Sequence, residues 1–229
     1  MIGLIRRRYM GSKDNILPAS SYVQDGLIAL YDGIENAGAG RHSDSATIWK
    51  DLVGSSDLIL YGGNAVPHWG DDCYDFSLGT QRFEMDASNV ASMITTEFCS
   101  HITTAGCLIH NGNTNCIDYG SSLITYTLNN NSTKSPKHTF GLKSTYCMDY
   151  QNRVLYQNNV QQELGTYSRM TSYSGNTKYL LGCRSFLDAN DRRNNVKGQL
   201  YCLRIYSRVL TAEEIAHNYA IDQQRFGLT

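Results

Sequence analysis

One polar loop combines an aromatic ring with two carboxylates. The segment 68–72 places the indole of Trp69 beside Asp71 and Asp72. Proteins use this combination to bind sugars, because an aromatic face stacks on a pyranose while carboxylate and amide groups bind its hydroxyls. We therefore predict that Trp69, Asp71 and Asp72 contribute to a ligand site.

A second polar loop, 188–195, precedes the last predicted strand. It contains Asp188, Asn190 and Asp191, whose oxygen atoms suit either sugar hydroxyls or a calcium ion. These three residues complete the predicted ligand site. An ordinary surface loop with Asx turns is the alternative for both loops, since such turns use the same residue types. No other cofactor is indicated.

Other patterns that carry chemistry are not found in the sequence. No serine lies in a G-x-S-x-G turn, and the glycines do not form a phosphate-binding loop. The histidines show neither HxH nor HExxH spacing, so a zinc site is not indicated. They are His42, His68, His101, His110, His138 and His217.

The elements that must position these loops are clearest near the C-terminus. Residues 198–207 are mostly apolar on both faces, which is typical of a strand inside a layered β structure. A helix is predicted to follow, with Thr211 and Glu214 forming a capping box and Leu210 packing on Ile215. Its predicted apolar stripe is Ile215, Ala216, Tyr219 and Ala220.

This C-terminal segment resembles the end of the laminin G-like, concanavalin A-like jelly-roll domains. The resemblance extends over residues 24–226 and includes the stretches 26–32, 49–54, 74–85 and 154–159. It implies an all-β sandwich of two antiparallel sheets with a short C-terminal helix, and it leaves the ligand open because the matched residues are core and turn residues. The matching residues near the end are Gly198, Arg204, Ile205, Tyr206, Arg208, Leu210, Thr211, Glu213, Glu214 and Ile215.

Glucanases share the fold implied by this resemblance, and they carry their carboxylates in the pattern E-x-D-x-x-E. Retaining hydrolysis needs two carboxylates about 5–5.5 Å apart, which alternate residues of one strand can supply. The closest match has Glu84 and Asp86, with Asn89 in place of the last carboxylate. We therefore expect that the chain is not an enzyme, and a glucanase-like hydrolase remains the least favoured alternative.

Composition and charge limit the classes of protein to which this chain can belong. The 229 residues carry a net charge of −1, but the first twenty carry +3, which leaves −4 on the remainder. An acidic body does not suit nucleic-acid binding, which needs a basic face. The sequence contains no run of 18 apolar residues, so a membrane-spanning helix is not indicated. One β-sandwich domain is expected over residues 24–229.

The seven cysteines are odd in number and show no CxxC pair. Several lie in apolar, strand-like runs, which favours buried free thiols over a set of disulfides. The first residues lack the apolar region and the small-residue cleavage site of a signal peptide. We therefore expect folding in a reducing cytoplasm.

Residues 1–23 differ from the rest of the chain and are predicted to form an arm. Two interpretations are open, a disordered tail or a segment that becomes ordered by binding another protein subunit. In the second, aliphatic side chains are buried and guanidinium groups pair with carboxylates. The partner-binding residues would be Ile2, Leu4, Ile5, Arg6, Arg7 and Arg8.

The favoured function combines two hypotheses. The resemblance implies a binding or adhesion module with possible recognition of cell-surface glycan, and the arm indicates a surface or decoration subunit of a larger assembly. Short aliphatic starts followed by three arginines resemble those of some phage structural proteins, so a virion is the favoured location. The alternative is a free, lectin-like carbohydrate-binding protein.

Overall fold

A computed structural model describes residues 16–62, 66–77, 81–111, 115–119, 124–128, 131–134, 139–163, 165–166, 177–183 and 195–228. The predicted arm residues Ile2 to Arg8 and the loop residues Asp188, Asn190 and Asp191 lie outside these ranges. The described residues form two antiparallel sheets that face each other and one α-helix.

The first sheet has seven strands among the described residues. They are β1 (Leu27–Asp32), β4 (Tyr74–Asp75), β6 (Thr95–Ile102), β11 (Lys143–Asp149), β12 (Val154–Gln157), β13 (Val160–Gln162) and β16 (Gly198–Tyr206). Their order is β1-β16-β6-β11-β12-β13, and β4 pairs with β16 beside this row.

The second sheet has nine strands within the same described ranges. They are β2 (Ile48–Trp49), β3 (Leu58–Gly62), β5 (Gln81–Asp86), β7 (Gly106–Asn111), β8 (Asn115–Tyr119), β9 (Ile124–Leu128), β10 (Asn131–Lys134), β14 (Gly165–Thr166) and β15 (Lys178–Leu181). Their order is β14-β10-β9-β8-β7-β15-β5-β3-β2.

The core lies between the two sheets because each strand turns alternate residues inward. Phe83 and Met85 of β5 face Leu203 and Ile205 of β16 within one buried cluster that also contains Trp49. Nearly every residue of β16 is buried, because the α-helix covers its outer face. The predicted jelly-roll sandwich with a C-terminal helix is confirmed.

The helix, α1 (Ala212–Phe226), begins as the sequence predicts. The Thr211 hydroxyl accepts a bond from the Glu214 amide at 3.2 Å, and the Glu214 carboxylate accepts one from the Thr211 amide at 2.9 Å. Leu210 and Ile215 are buried in one cluster. Gly227 ends the helix at φ 64°, a left-handed conformation that glycine adopts without steric cost.

Helix α1 turns a largely polar face toward the first sheet. Arg204 of β16 donates from Nη1 and Nη2 to the two carboxylate oxygens of Asp222 at 2.7 and 2.8 Å, and from Nε to Glu97 at 3.0 Å. Asn218 donates to the same Glu97 oxygen at 2.6 Å. Burying these charges is tolerated because they are paired and hydrogen-bonded. The predicted apolar stripe is therefore wrong in part, since Ala220 is exposed.

A segment before β1 is bound along the same helix. Residues 16–23 contain a short 3₁₀ helix, Ala19–Ser21, and the Tyr22 hydroxyl donates to Asp222 at 2.7 Å. The amide of Val23 donates to Asn218 at 2.9 Å, and Arg225 donates to the carbonyl of Leu17. Residues 16–23, which the sequence assigned to the arm, therefore pack against α1. The division of the chain into an arm and a domain stays a prediction.

The described cysteine side chains are buried thiols, as expected. They are Cys73, Cys99, Cys107, Cys147, Cys183 and Cys202. Burial raises the pKa of each of three thiols well above its usual value, those of Cys99, Cys147 and Cys202. Among the helices that the structure describes, none has the length and apolar character needed to cross a membrane.

Candidate functional site

The structure places Trp69 in an aromatic cluster at the edge of the core. Its ring meets Trp49 and Tyr74 edge-to-face, with ring centroids 4.9 Å apart in both pairs. Its indole N–H donates to the carbonyl of Ala46 at 2.7 Å. The half-buried indole therefore serves packing, which leaves little of the ring for stacking on a sugar.

The two acidic residues of this loop differ in burial. Asp71 is exposed, whereas Asp72 is half-buried, and burial raises the pKa of its carboxyl. No group of three or more His, Cys, Asp or Glu residues is arranged to hold a metal ion in the described ranges. Because Asp188, Asn190 and Asp191 lie outside those ranges, the calcium site and their part of the ligand site stay predictions.

A different set of side chains meets on the outer face of the second sheet. In β5, Phe83 and Met85 point into the core, so Arg82, Glu84 and Asp86 project outward. The same alternation turns Ile59 and Tyr61 of β3 and Lys178 of β15 to this face, where all three are exposed. We call this set the sheet-face patch; its members are Ile59, Tyr61, Arg82, Glu84, Asp86 and Lys178.

The pairing of three strands sets the arrangement of the patch. In the register of the sheet, Tyr61 lies opposite Arg82, and Lys178 lies opposite Asp86. Side chains at directly opposed positions have Cβ atoms about 4.5–5.5 Å apart. Residues that are far apart in the sequence therefore form one continuous surface.

Glu84 is the centre of the charges in this patch. Its Oε1 accepts bonds from Nε and Nη2 of Arg82, both at 2.9 Å, and its Oε2 accepts one from Nζ of Lys178 at 3.0 Å. The Glu84 side chain is 10% exposed, whereas that of Lys178 is 46% exposed. The hydrogen bond that Lys178 donates to Glu84 raises the pKa of Lys178. Two cations and one carboxylate thus form a fixed cluster with one accessible ammonium group.

The ring of Tyr61 is held in place by the same cations. Its centroid lies 5.7 Å from Cζ of Arg82 and 5.6 Å from Nζ of Lys178, which are cation–π distances. The residue is 38% exposed, and Ile59 beside it on β3 is 46% exposed. The patch therefore offers an oriented aromatic ring next to an aliphatic side chain.

Asp86 adds an exposed carboxylate at the end of β5. Its Oδ1 accepts bonds from the amide and the hydroxyl of Ser88 at 3.0 and 2.7 Å. These bonds lower the pKa of Asp86, so the group is ionised at neutral pH. Together with Lys178 and Arg82, the patch presents both hydrogen-bond donors and acceptors around an aromatic ring.

A separate cavity of about 450 Å³ lies between residues 16–24, the loop after β1 and the turn after β2. Its walls include the aliphatic side chains of Leu17, Ile34 and Leu52. Glu35 and Arg225 also line it, but Glu35 accepts bonds from two backbone amides at 2.8 Å and both residues pair with each other. The cavity therefore presents mainly apolar surface, which suits hydroxyl groups less well than the sheet-face patch does.

The fold is similar to that of several solved carbohydrate-related proteins. Trypanosoma rangeli sialidase in complex with sialic acid matches with a TM-score of 0.62 at 10% identity, over 88% of this chain and 33% of that chain. A mutant of that sialidase displaying trans-sialidase activity matches with a TM-score of 0.60 at 12% identity, over 90% and 34%. The chain thus spans about a third of the length of these proteins.

Botulinum neurotoxin type C, from a study of its interaction with two ganglioside molecules, matches with a TM-score of 0.50 at 11% identity, over 86% of this chain and 51% of that chain. At these identities the likeness is one of fold, a jelly-roll β-sandwich. No protein-family profile and no curated protein matches the sequence. Membership of the concanavalin A-like family therefore stays a prediction.

These neighbours overturn one expectation. The prediction that the chain is not an enzyme is wrong, because the matching structures include sialidases, which are enzymes with this fold over part of their length. The prediction rested on Asn89 standing in place of the third carboxylate of one arrangement, and on the lack of another acidic pair with that spacing. Other glycosidases do not use that arrangement, so its incompleteness does not decide the question.

Proposed function

We propose that this protein is a carbohydrate-binding module and that the sheet-face patch contacts the sugar. The observation that carries the proposal is the exposed ring of Tyr61, which lies within cation–π distance of Arg82 and Lys178, the two cations that bind Glu84. The apolar face of a pyranose packs on such a ring, and its hydroxyl groups bind donors and acceptors around the edge.

Three further observations support the proposal. The patch lies on regular strands, which hold a binding constellation more precisely than loops do. Its ring is already oriented by two cations, so binding costs little side-chain entropy. The solved structures with this fold include one in complex with sialic acid and one studied for its interaction with gangliosides. The proposal shifts the sugar site away from Trp69, whose indole is used in packing.

The test is binding of the full chain to an immobilised panel of oligosaccharides, with Tyr61→Ala and Tyr61→Phe as a matched pair. Tyr61→Ala should weaken binding about tenfold or more, because the stacking surface is lost, while Tyr61→Phe keeps the ring and should stay within about threefold. Val160→Ala, an exposed residue of the first sheet, serves as a surface control. Equal binding by the wild type and Tyr61→Ala would refute the proposed site.

We also propose that the chain is a surface or decoration subunit of a larger assembly, with a virion as the favoured case, anchored by residues 1–15. This proposal is supported by the contacts of residues 16–23 with α1, because they hold the start of the arm at a fixed place on the domain. The arm combines aliphatic residues with three arginines, a composition that buries and pairs against another subunit.

Two deletions test the anchoring. Removing residues 1–15 should leave the melting temperature of the isolated chain nearly unchanged and abolish incorporation into the parent assembly. Removing residues 1–23 should lower the melting temperature as well, because the bonds from Tyr22 and Val23 to the helix are lost. If incorporation survives the shorter deletion, residues 1–15 are not the anchor.

A further inference from the structure

We propose that the sheet-face patch selects uncharged sugars over acidic ones, with the carboxylates of Glu84 and Asp86 as the groups that set this preference. The inference rests on the proposed carbohydrate binding and names the class of ligand for the same site. It follows from how the charges of the patch are balanced and from which polar atoms are left for a ligand.

The described charges of the patch cancel. Arg82 and Lys178 supply two positive charges, and Glu84 and Asp86 supply two negative ones. Glu84 is bonded to both cations at 2.9–3.0 Å, so it occupies the position that the carboxylate of an acidic ligand would take between them. An incoming carboxylate would have to displace Glu84 or lie beside it, and like charges at such short separations repel.

Hydroxyl groups meet no such conflict. The ammonium group of Lys178 has three N–H donors, of which one points to Glu84, and the Lys178 side chain is nearly half exposed. Opposite it, Asp86 uses Oδ1 for its two bonds from Ser88, and its side chain is exposed. A hydroxyl is both a donor and an acceptor, so neighbouring hydroxyls of an uncharged sugar can accept from Lys178 and donate to Asp86 while the ring lies on Tyr61.

The preference differs from the ligand named for a structural neighbour. The sialidase with this fold was solved with sialic acid, an acidic sugar. Recognition of an acidic sugar would call for a cation that no protein carboxylate already neutralises. In the sheet-face patch both cations share Glu84, so removing its negative charge is the change that should open the site to acidic ligands.

The experiment compares pairs of the same oligosaccharide with and without a terminal sialic acid, using the full chain. The wild type should bind the uncharged member about tenfold tighter. Glu84→Gln and Asp86→Asn should each reduce that ratio about three- to tenfold, because each removes one negative charge a few ångströms from the ligand. Asp25→Asn changes an exposed carboxylate paired with Arg208, outside the patch, and should leave the ratio unchanged.

The two variants protect the test against a folding defect, because Glu84 is nearly buried whereas Asp86 is exposed and Asn keeps the Oδ1 acceptor for Ser88. Tighter binding of the sialylated members by the wild type, or an unchanged ratio in both variants, would overturn the inference while leaving Tyr61-dependent sugar binding intact. Absence of binding to either member of every pair would refute the proposed function and the inference with it.

Discussion

Removing the carboxylate of Asp222 should destabilise the domain far more than removing an exposed aspartate. Asp222 is fully buried and accepts four bonds, two from Arg204 at 2.7 and 2.8 Å, one from the Tyr22 hydroxyl at 2.7 Å and one from the Cys202 thiol at 3.7 Å. In Asp222→Ala the guanidinium stays buried with one of its two carboxylate partners missing. Breaking a buried pair in this way costs about 3–5 kcal/mol.

The matched control is Asp25→Ala. Asp25 also pairs with an arginine, Arg208, at 2.8 Å, but its side chain is 85% exposed. Exposed pairs contribute about 0–1 kcal/mol because water and salt screen them. The same substitution therefore tests burial, with the type of partner held constant.

Urea unfolding at neutral pH measures both variants, with stability compared at a common slope. For a chain of this size each kcal/mol corresponds to about 2–4 °C in melting temperature, so Asp222→Ala should melt roughly 6–20 °C below the wild type and Asp25→Ala within about 4 °C. Equal stabilities of the two variants would show that water reaches the buried charges between α1 and the first sheet. That result would refute the argument from burial.

Three further predictions concern the packing of the helix, the loss of stability at low pH and the reactivity of a thiol. Ile215→Ala should cost about 2–5 kcal/mol, because Ile215 is buried, and Thr211→Ala about 0.5–2 kcal/mol for the lost cap; the reverse order in thermal melts would indicate a loosely docked helix. Hydrogen bonds, first from Arg208 and then from Thr211, lower the pKa of Glu214 to about 2 in the folded chain. The pKa in the unfolded chain is about 4.3. The ionised Glu214 therefore stabilises the fold fully above pH about 4.3, and this stabilisation is lost as the pH falls toward 2. Glu214→Gln should therefore flatten urea stability against pH across that window, and an unchanged slope would contradict the assignment. Burial raises the pKa of the Cys73 thiol to about 12, so alkylation followed by mass spectrometry should modify it slowly in the native chain and rapidly in urea; equal rates would mean that it is accessible.

Local signals in the sequence were sufficient for several elements. The capping box at Thr211 and Glu214 appears at the predicted residues, because both of its bonds join groups three positions apart. The hairpin between β12 and β13 turns at Asn158 and Asn159, both with positive φ, as asparagine tolerates. The strand predicted within 198–207 matches β16, Gly198–Tyr206.

Local patterns did not predict whether the proposed ligand residues are exposed or packed. An indole beside two carboxylates predicts a sugar site equally well whether the ring is exposed or packed, and the structure packs Trp69 against Trp49 and Tyr74. Tyr61 and Lys178 were missed altogether. Alternation along β3 and β5 could have predicted that Tyr61 and Arg82 point outward, but the sequence does not indicate that β15 pairs with β5.

Local patterns in the sequence were enough to predict the place and start of the terminal helix and the burial of the described thiols, because periods of two or 3.6, caps and turns act between residues close in the chain. The two-sheet fold was predicted from the family resemblance. Which strands are neighbours and which polar groups are buried together depends on the packing of the whole chain. Arg204 and Asp222, or Tyr61 and Lys178, meet because the whole core must pack at once, and no local pattern records that long-range pairing.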